Sequence, residues 1–384
     1  MNSNEIRPFR IDIPQADIDD LHHRLTRTRW LDEVGDRTDW TRGVPTTYLR
    51  ELATYWAEKF DWRAVEAALN AHPQFTTEID GENLHFLHIR SERADATPLL
   101  LIHGWPGTPA DFAALIDPLT SPVDADSPAF HLVIPSLPGH GFSGPLTELG
   151  WNDGRVAAAL AELMTRLDYD RFGVHGGDHG AFIAPCIGRD HSDRVIGVHA
   201  NALVTFPTGD PADMAALTGP ERARLAAMGE FRDSGSAYMN LAGSRPNTIA
   251  QLLADSPVGQ LGWIIEKYKE WTDATHVLPE DAIDLDTMLT TVTIYWLTDT
   301  ARSVANYYYE RFHDSTMFVP AAAGTVPTGV AVFTTADFAI RRFAEKAHNI
   351  VHWSEFYSGG HFPALEVPDL LSGDIREFFD GLIH

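Results

Sequence analysis

"HGGDHGAF", residues 175–182, follows the apolar run "RFGV" and opens a helical pattern. Small-x-acid-x-small between a strand and a helix has the shape of a sharp elbow that lifts its central residue above a sheet. Gly176 and Gly180 stand where side chains would collide in such a turn. Asp178 occupies the lifted position, where a hydrolase usually carries serine.

An elbow of this kind needs a parallel sheet around it, and the surrounding chain reads as one. "TPLLLIHG" (97–104), "FHLVIPSLPG" (130–139), "RFGVHGG" (171–177) and "RVIGVHAN" (194–201) are short, continuously apolar runs. Continuous apolarity suits strands buried on both faces. Between the second and third runs, Val156, Leu160, Leu163, Met164 and Leu167 form a stripe at helical spacing, a crossover helix. The strand pattern stops after Asn201 and returns with "TGVAVFTT" (328–335) and "NIVHWSEFY" (349–357), before a last helix, "VPDLLSGDIREFFDGLI". The fold class is α/β, an α/β-hydrolase fold with a mostly parallel sheet. Core segments are expected at 96–205 and 321–384. The helical, Trp- and Tyr-rich insertion at 206–320 is expected as a lid over the strands' carboxyl ends, where open α/β sheets bind ligands.

Residues 1–95 read as a wrapping segment. Ile18, Leu21 and Leu25 share one helical face after the start signals Pro14 and Asp17. "FTTEID" and "LHFLHIR" flank a turn placed at Gly81 and Glu82, a hairpin. Trp30, Trp40, Trp56 and Trp62 are expected to pack the segment onto the core.

The chain has 384 residues, 44% hydrophobic and 22% charged, with 29 basic against 54 acidic residues and a net charge of −25. That balance repels nucleic acid and anionic membrane surfaces. The start "MNSNEIRPFR" has no apolar signal core, and no stretch reaches the ~18 apolar residues of a membrane span. A single cysteine, Cys186, excludes an internal disulfide framework. A cytoplasmic location is expected, with a homodimer left open. Despite 18 histidines, no metal-ligand spacing is tied to a site, so no metal is expected. His175 and His199 read as core histidines. No Gly-rich fingerprint follows a strand as a dinucleotide would need, and no cofactor is implied.

Three residues line up with one mechanism. Asp178 follows one strand, Asp337 follows "GVAVFTT", and His361 follows "NIVHWSEFY" on the Gly359-Gly360 turn. Nucleophile, acid, histidine is the α/β-hydrolase order. "LIHGWPGTP" (101–109) is the loop that supplies one oxyanion N–H in such folds; the pair here would be the amides of Trp105 and His179. His103 and Pro106 are read as shaping that loop. A serine alkoxide attacking saturated carbon would leave an ether, whereas a carboxylate leaves an ester that activated water can open. Asp178, with a free pKa of about 3.9, is ionised unaided, so His361, oriented by Asp337, can activate that water. The elbow carboxylate therefore points to substitution at sp³ carbon, in an epoxide or a carbon–halogen bond.

The sequence resembles the epoxide hydrolases of the microsomal type over nearly its whole length. The likeness lies in "RPFRIDIPQADIDDLHHRL", "HGWPG", "GGDHG", the lid stretches "SAYMNL" and "DSPVGQLGWIIEKYKEWTD", and "GGHFPALEVPDLL". It implies Asp178 as nucleophile, His361 as base, Asp337 as its acid partner, a small-molecule epoxide as substrate, and Tyr238 and Tyr308 as lid donors to the ring oxygen. Tyr307, Tyr308 and Tyr309 are consecutive, so only one of them can face a pocket. Two departures stand out: His179 replaces the Trp often found after the nucleophile, and the spacing of 24 positions from Asp337 to His361 is slightly short. Soluble bacterial relatives extend to natural-product pathways such as enediyne biosynthesis. The competing readings are a haloalkane dehalogenase, opposed by His179 and the lid tyrosines, and a catalytically silent ligand-binding fold.

Overall fold

The computed structural model describes residues 5–207, 209–315 and 322–383. Among these described residues nine strands form one sheet in the order β1-β2-β3-β5-β4-β6-β7-β8-β9. They are β1 (Arg7–Phe9), β2 (Gln74–Ile79), β3 (Glu82–Ile89), β4 (Thr97–Ile102), β5 (Phe130–Pro135), β6 (Phe172–Gly176), β7 (Val195–Asn201), β8 (Pro327–Val332) and β9 (Asn349–Glu355). β1 to β3 pair antiparallel, and β3 joins β5 antiparallel; from β5 to β9 every pairing is parallel. The four apolar runs before Asn201 and the two after the insertion are the six parallel strands. Leu99 to Ile102 and Leu132 to Ile134 are fully buried, which is why those runs do not alternate.

The hairpin turn falls one residue before the expected Gly81-Glu82. Asp80 and Gly81 both have positive φ, 51° and 79°, the two-residue geometry that favours Asp-Gly. Glu82 is already in β3 and its carboxylate accepts the Thr147 and Glu148 amides.

The N-terminal segment divides between two neighbours. Its three strands extend the sheet, while its helices, Gln15–Thr26 and Thr46–Glu58, share an apolar cluster with the helices of the insertion. Trp56 is fully buried there and donates its indole N–H to Thr293 at 2.9 Å. Trp30 and Trp40 pack at the margin of the cluster. Between Pro211 and His313 the insertion is helical, and helix Ala301–His313 packs against helices Ala237–Ser244 and Pro246–Asp255. The expected lid boundary at 320/321 lies outside the described residues. No helix among the described residues is long and apolar enough to cross a membrane.

Candidate active site

The elbow is built from close approaches. After β6 the chain turns through Asp178, whose φ of 53° is strained for a non-glycine residue, into helix Gly180–Asp190. A Cβ at Gly180 would lie 2.2 Å from the Ile102 carbonyl. A Cβ at Gly104, in the facing loop, would lie 2.1 Å from Asp178 Oδ1. The loop therefore comes near enough for the Trp105 amide to donate to Asp178 Oδ1 at 2.9 Å. The His179 amide, the second expected donor, makes no hydrogen bond to that carboxylate among the described residues. His103 braces the loop from behind, with Nδ1 2.8 Å from the Gly104 carbonyl and Nε2 accepting the Leu137 amide. Tyr295 donates to the Gly107 carbonyl from the helical insertion.

His361 reaches the other carboxylate oxygen, with Nε2 3.1 Å from Asp178 Oδ2. Burial alone would raise the Asp178 pKa, but the hydrogen bond and charge of His361 and the Trp105 amide outweigh it and hold the carboxyl well below the usual range. His179 is itself pushed down to about 3 by burial and stays neutral. Its ring fills the space under Tyr307 and Tyr308. At His361, burial favours the neutral ring, and the hydrogen bond and charge of Asp178 overcome it and raise the pKa.

Asp337 is buried beyond β8, but its carboxylate faces backbone. It accepts the amides of Ala202, Phe333 and Ala339 at 3.1–3.2 Å and among the described residues has no hydrogen bond to His361. His361 Nδ1 instead lies 3.4 Å from the Ala336 carbonyl, with the Asp337 charge acting on the ring through space. The expected triad is thus contiguous at Asp178 and His361 and indirect at Asp337.

Tyr238 and Tyr308 meet over this pair. Their rings lie 5.8 Å apart, and the Trp105 ring stacks on Tyr238 at 5.5 Å and meets Tyr308 edge-on at 6.3 Å. Burial, then the Asp178 charge at Tyr238 and the neighbouring phenol at Tyr308, raise both well above the ordinary phenol value. Both stay protonated. Tyr307 turns away and donates to Asp153, and Tyr309 stacks on His313. Asp178, His361, Tyr238 and Tyr308 line one cavity of about 520 Å³ with Trp271 and Phe338, within the range of small-ligand sites. No group of three or more His, Cys, Asp or Glu among the described residues could hold a metal ion.

Residues 6–112 match the family model described as the epoxide hydrolase N terminus, and residues 97–241 match that of the alpha/beta hydrolase fold. The chain is 41% identical to a Stigmatella aurantiaca protein provisionally named an epoxide hydrolase, covering 98% of this chain and 85% of the other. It is 33% identical to epoxide hydrolase 1 of Sus scrofa, over 99% and 89% of the two chains. The chain belongs to the epoxide hydrolase family. Among solved structures it resembles the Aspergillus niger epoxide hydrolase, with a TM-score of 0.88 at 32% identity, covering 99% of this chain and 97% of that one. The Bombyx mori juvenile hormone epoxide hydrolase superposes with a TM-score of 0.91 at 27% identity, covering 98% and 95%.

Two carboxylates of this epoxide hydrolase went unread in the sequence. Glu366 accepts the amides of Asp273, Gly360 and Phe362, and Asp273 accepts that of Gly359. Together they clamp the turn that carries His361. Glu366 stands inside the quoted "GGHFPALE", so proximity was visible; Asp273 comes from the insertion, and no local pattern points to it. Arg311, also unread, lines the same cavity.

Proposed function

We propose that this epoxide hydrolase opens its substrate through a covalent ester on Asp178, with His361 as the base of the second step. The observation that carries the reading is the Asp178 carboxylate, held between the Trp105 amide and His361 Nε2 and facing two protonated phenols across the cavity. One Asp178 oxygen attacks a ring carbon, the C–O bond of the oxirane breaks toward the ring oxygen, and a phenol of Tyr238 or Tyr308 protonates it. The proton held on His361 then replenishes the phenol.

Ester formation resets the imidazole. Esterified Asp178 carries no charge, so the hydrogen bond and attraction that raised His361 disappear and burial leaves the ring neutral. A neutral imidazole can take a proton from water, whose oxygen attacks the ester carbonyl while the Trp105 N–H stabilises the developing oxyanion. The acyl bond breaks, the departing diol oxygen takes the proton from His361, and the new carboxyl returns its own to the ring. Asp337 supports the imidazolium by its charge. A cytoplasmic location goes with this reading, supported by the single free cysteine.

Isotope labelling tests the route. Excess enzyme turning over once in heavy-oxygen water should release mainly unlabelled diol and take the label into Asp178, with labelled diol following in later turnovers. Full label in the first diol would replace nucleophilic Asp178 by direct water attack.

A further inference from the structure

One buried cation of the helical insertion takes no direct part in that chemistry. Lys267, on helix Pro257–Trp271, is 2% exposed. A buried ammonium needs opposite charge, and Glu266 and Glu270 supply it at 2.7 and 2.8 Å from Nζ. Both carboxylates stand nearer to water, with side chains 29% and 42% exposed against 3% for the lysine. The positive end of the cluster is therefore the end turned into the protein.

That end rests on aromatic rings. Nζ lies 4.7 Å from the centroid of Tyr238 and 5.7 Å from that of Trp271, both within the ~6 Å reach of a cation–π contact. Carbon encloses Tyr238 elsewhere: Trp105 stacks on it at 5.5 Å, and Trp263 and Tyr308 meet it edge-on at 6.5 and 5.8 Å. Trp271 reaches the other half of the site. Its ring lies 5.0 Å from that of His361, and its carbonyl accepts the His361 amide at 2.8 Å. One ammonium thus touches both the ring of a proton donor and the tryptophan on which the base is seated.

The proposed opening puts negative charge on the Tyr238 ring. As the phenol protonates the oxirane oxygen, its O–H bond breaks and the electron pair stays on the phenolic oxygen, spreading into the ring until the proton of His361 replaces the one lost. Burial, then the Asp178 and Glu270 charges, oppose that state. A cation on the ring face favours it, because the attraction grows as the ring becomes an anion.

We propose that Lys267 is a positioning residue for epoxide opening: its ammonium, linking two carboxylates to the Tyr238 ring, fixes that ring and supports the negative charge it takes on as the oxirane oxygen is protonated. This rests on the proposed covalent route and adds a residue to its first step.

Single-turnover kinetics with excess enzyme and styrene oxide, followed by rapid quench and intact mass, separates formation of the Asp178 ester from its hydrolysis. Lys267→Met keeps the apolar stem and loses the charge. Ester formation should slow by about tenfold or more, and hydrolysis should change by less than about threefold. Lys267→Arg should recover most of the loss. The decisive comparison is made in Tyr238→Phe, where no phenolate forms: there Lys267→Met should slow ester formation by less than about twofold further, whereas a purely structural role predicts the same slowing in both backgrounds. Because Lys267→Met strands two carboxylates, Lys267→Met with Glu270→Gln supplies a second variant with one fewer, read in the same two backgrounds. Equal slowing in both backgrounds, an unslowed Lys267→Met, or an arginine variant no faster than the methionine one overturns the assignment and leaves the covalent route intact. Absence of any Asp178 ester in the wild type would overturn the route beneath it instead.

Discussion

At the scale of single residues, removing the His361 ring and removing the Asp337 charge should leave different signatures on the proposed route, because of the two only the ring lies within hydrogen-bond distance of the Asp178 carboxylate. His361→Gln keeps the nucleophile and loses the base, so the ester on Asp178 should form and persist, its hydrolysis slowed by about 10²–10⁴-fold. Intact mass would register the adduct; normal turnover would remove His361 from the base role. Asp337→Asn should slow hydrolysis far less, since among the described residues the wild-type carboxylate has no hydrogen bond to the ring, whose Nδ1 lies against the Ala336 carbonyl. It should instead lower stability. An amide has one acceptor oxygen for the three N–H groups of Ala202, Phe333 and Ala339, and a buried donor left facing an NH₂ costs about 1–3 kcal/mol. A thermal melt together with the adduct assay separates the two effects. Asp178 and His361 were legible in the sequence because elbow and strand-end positions are local patterns. The partners of Asp337 come from three separate stretches of backbone, and no sequence pattern records which amide a carboxylate will meet.

At the scale of elements, helix Ala301–His313 turns about 100° per residue and so divides its three tyrosines. Tyr308 faces Asp178, Tyr307 enters the core beneath with its hydroxyl on Asp153, and Tyr309 stacks on His313. Resemblance pointed to Tyr308, but the sequence contains no rotational reference for the helix; its packing against helices Ala237–Ser244 and Pro246–Asp255 supplies one. Single-turnover alkylation should therefore slow by about 10²–10³-fold in Tyr308→Phe or Tyr238→Phe, by analogy with a lost oxyanion donor. The double variant should be nearly inactive, since the two phenols serve one developing charge. Tyr307→Phe should alkylate at close to the wild-type rate and melt earlier. Slower alkylation in Tyr307→Phe than in Tyr308→Phe would reverse the assignment. The Asp80-Gly81 turn carries the same lesson: strand periodicity located the hairpin, and two positive φ values fixed its register one residue away.

At the scale of the whole molecule, the six parallel strands could be read from apolar runs, but the N-terminal helices' partner could not, because an amphipathic face does not say which apolar surface covers it. The structure seats them on the helical insertion. Histidine is the other feature visible only in the assembled fold. His85, His103, His140, His175 and His179 are all buried, and burial lowers each pKa below the free value: to about 3 at His85, His103 and His179, to about 4 at His140, and well below 6.5 at His175. The unfolded chain protonates these rings below about pH 6.5 while the fold refuses the proton, so their contribution to stability is complete above that pH and falls as pH drops toward the folded values. Each ring removes about 1.4 kcal/mol per pH unit over that interval. Asp111, pushed up to about 7 by burial, takes up its proton first in the fold and offsets one of the five. His352 and His361, raised by Asp374 and Asp178, add stability below pH 6.5 and lose it only as pH rises through their folded values. Asp374, held well below the ordinary carboxylate range by His199, His352 and Ser354 against the opposing effect of burial, fails only at more acid pH. Asp337 and Glu366, also raised by burial, offset part of the rest, and His88, lowered to about 4, adds to it; a few uncompensated imidazoles suffice to exhaust a typical stability of about 5–15 kcal/mol within a few pH units. Circular dichroism titrated from pH 7.5 downward should thus lose signal cooperatively between about pH 5.5 and 4, before most free carboxylates titrate, with a steepness corresponding to uptake of several protons. Stability that stays level down to about pH 4 would mean that these rings already carry protons in the fold, and the neutral His179 beneath the phenols would have to be given up with them.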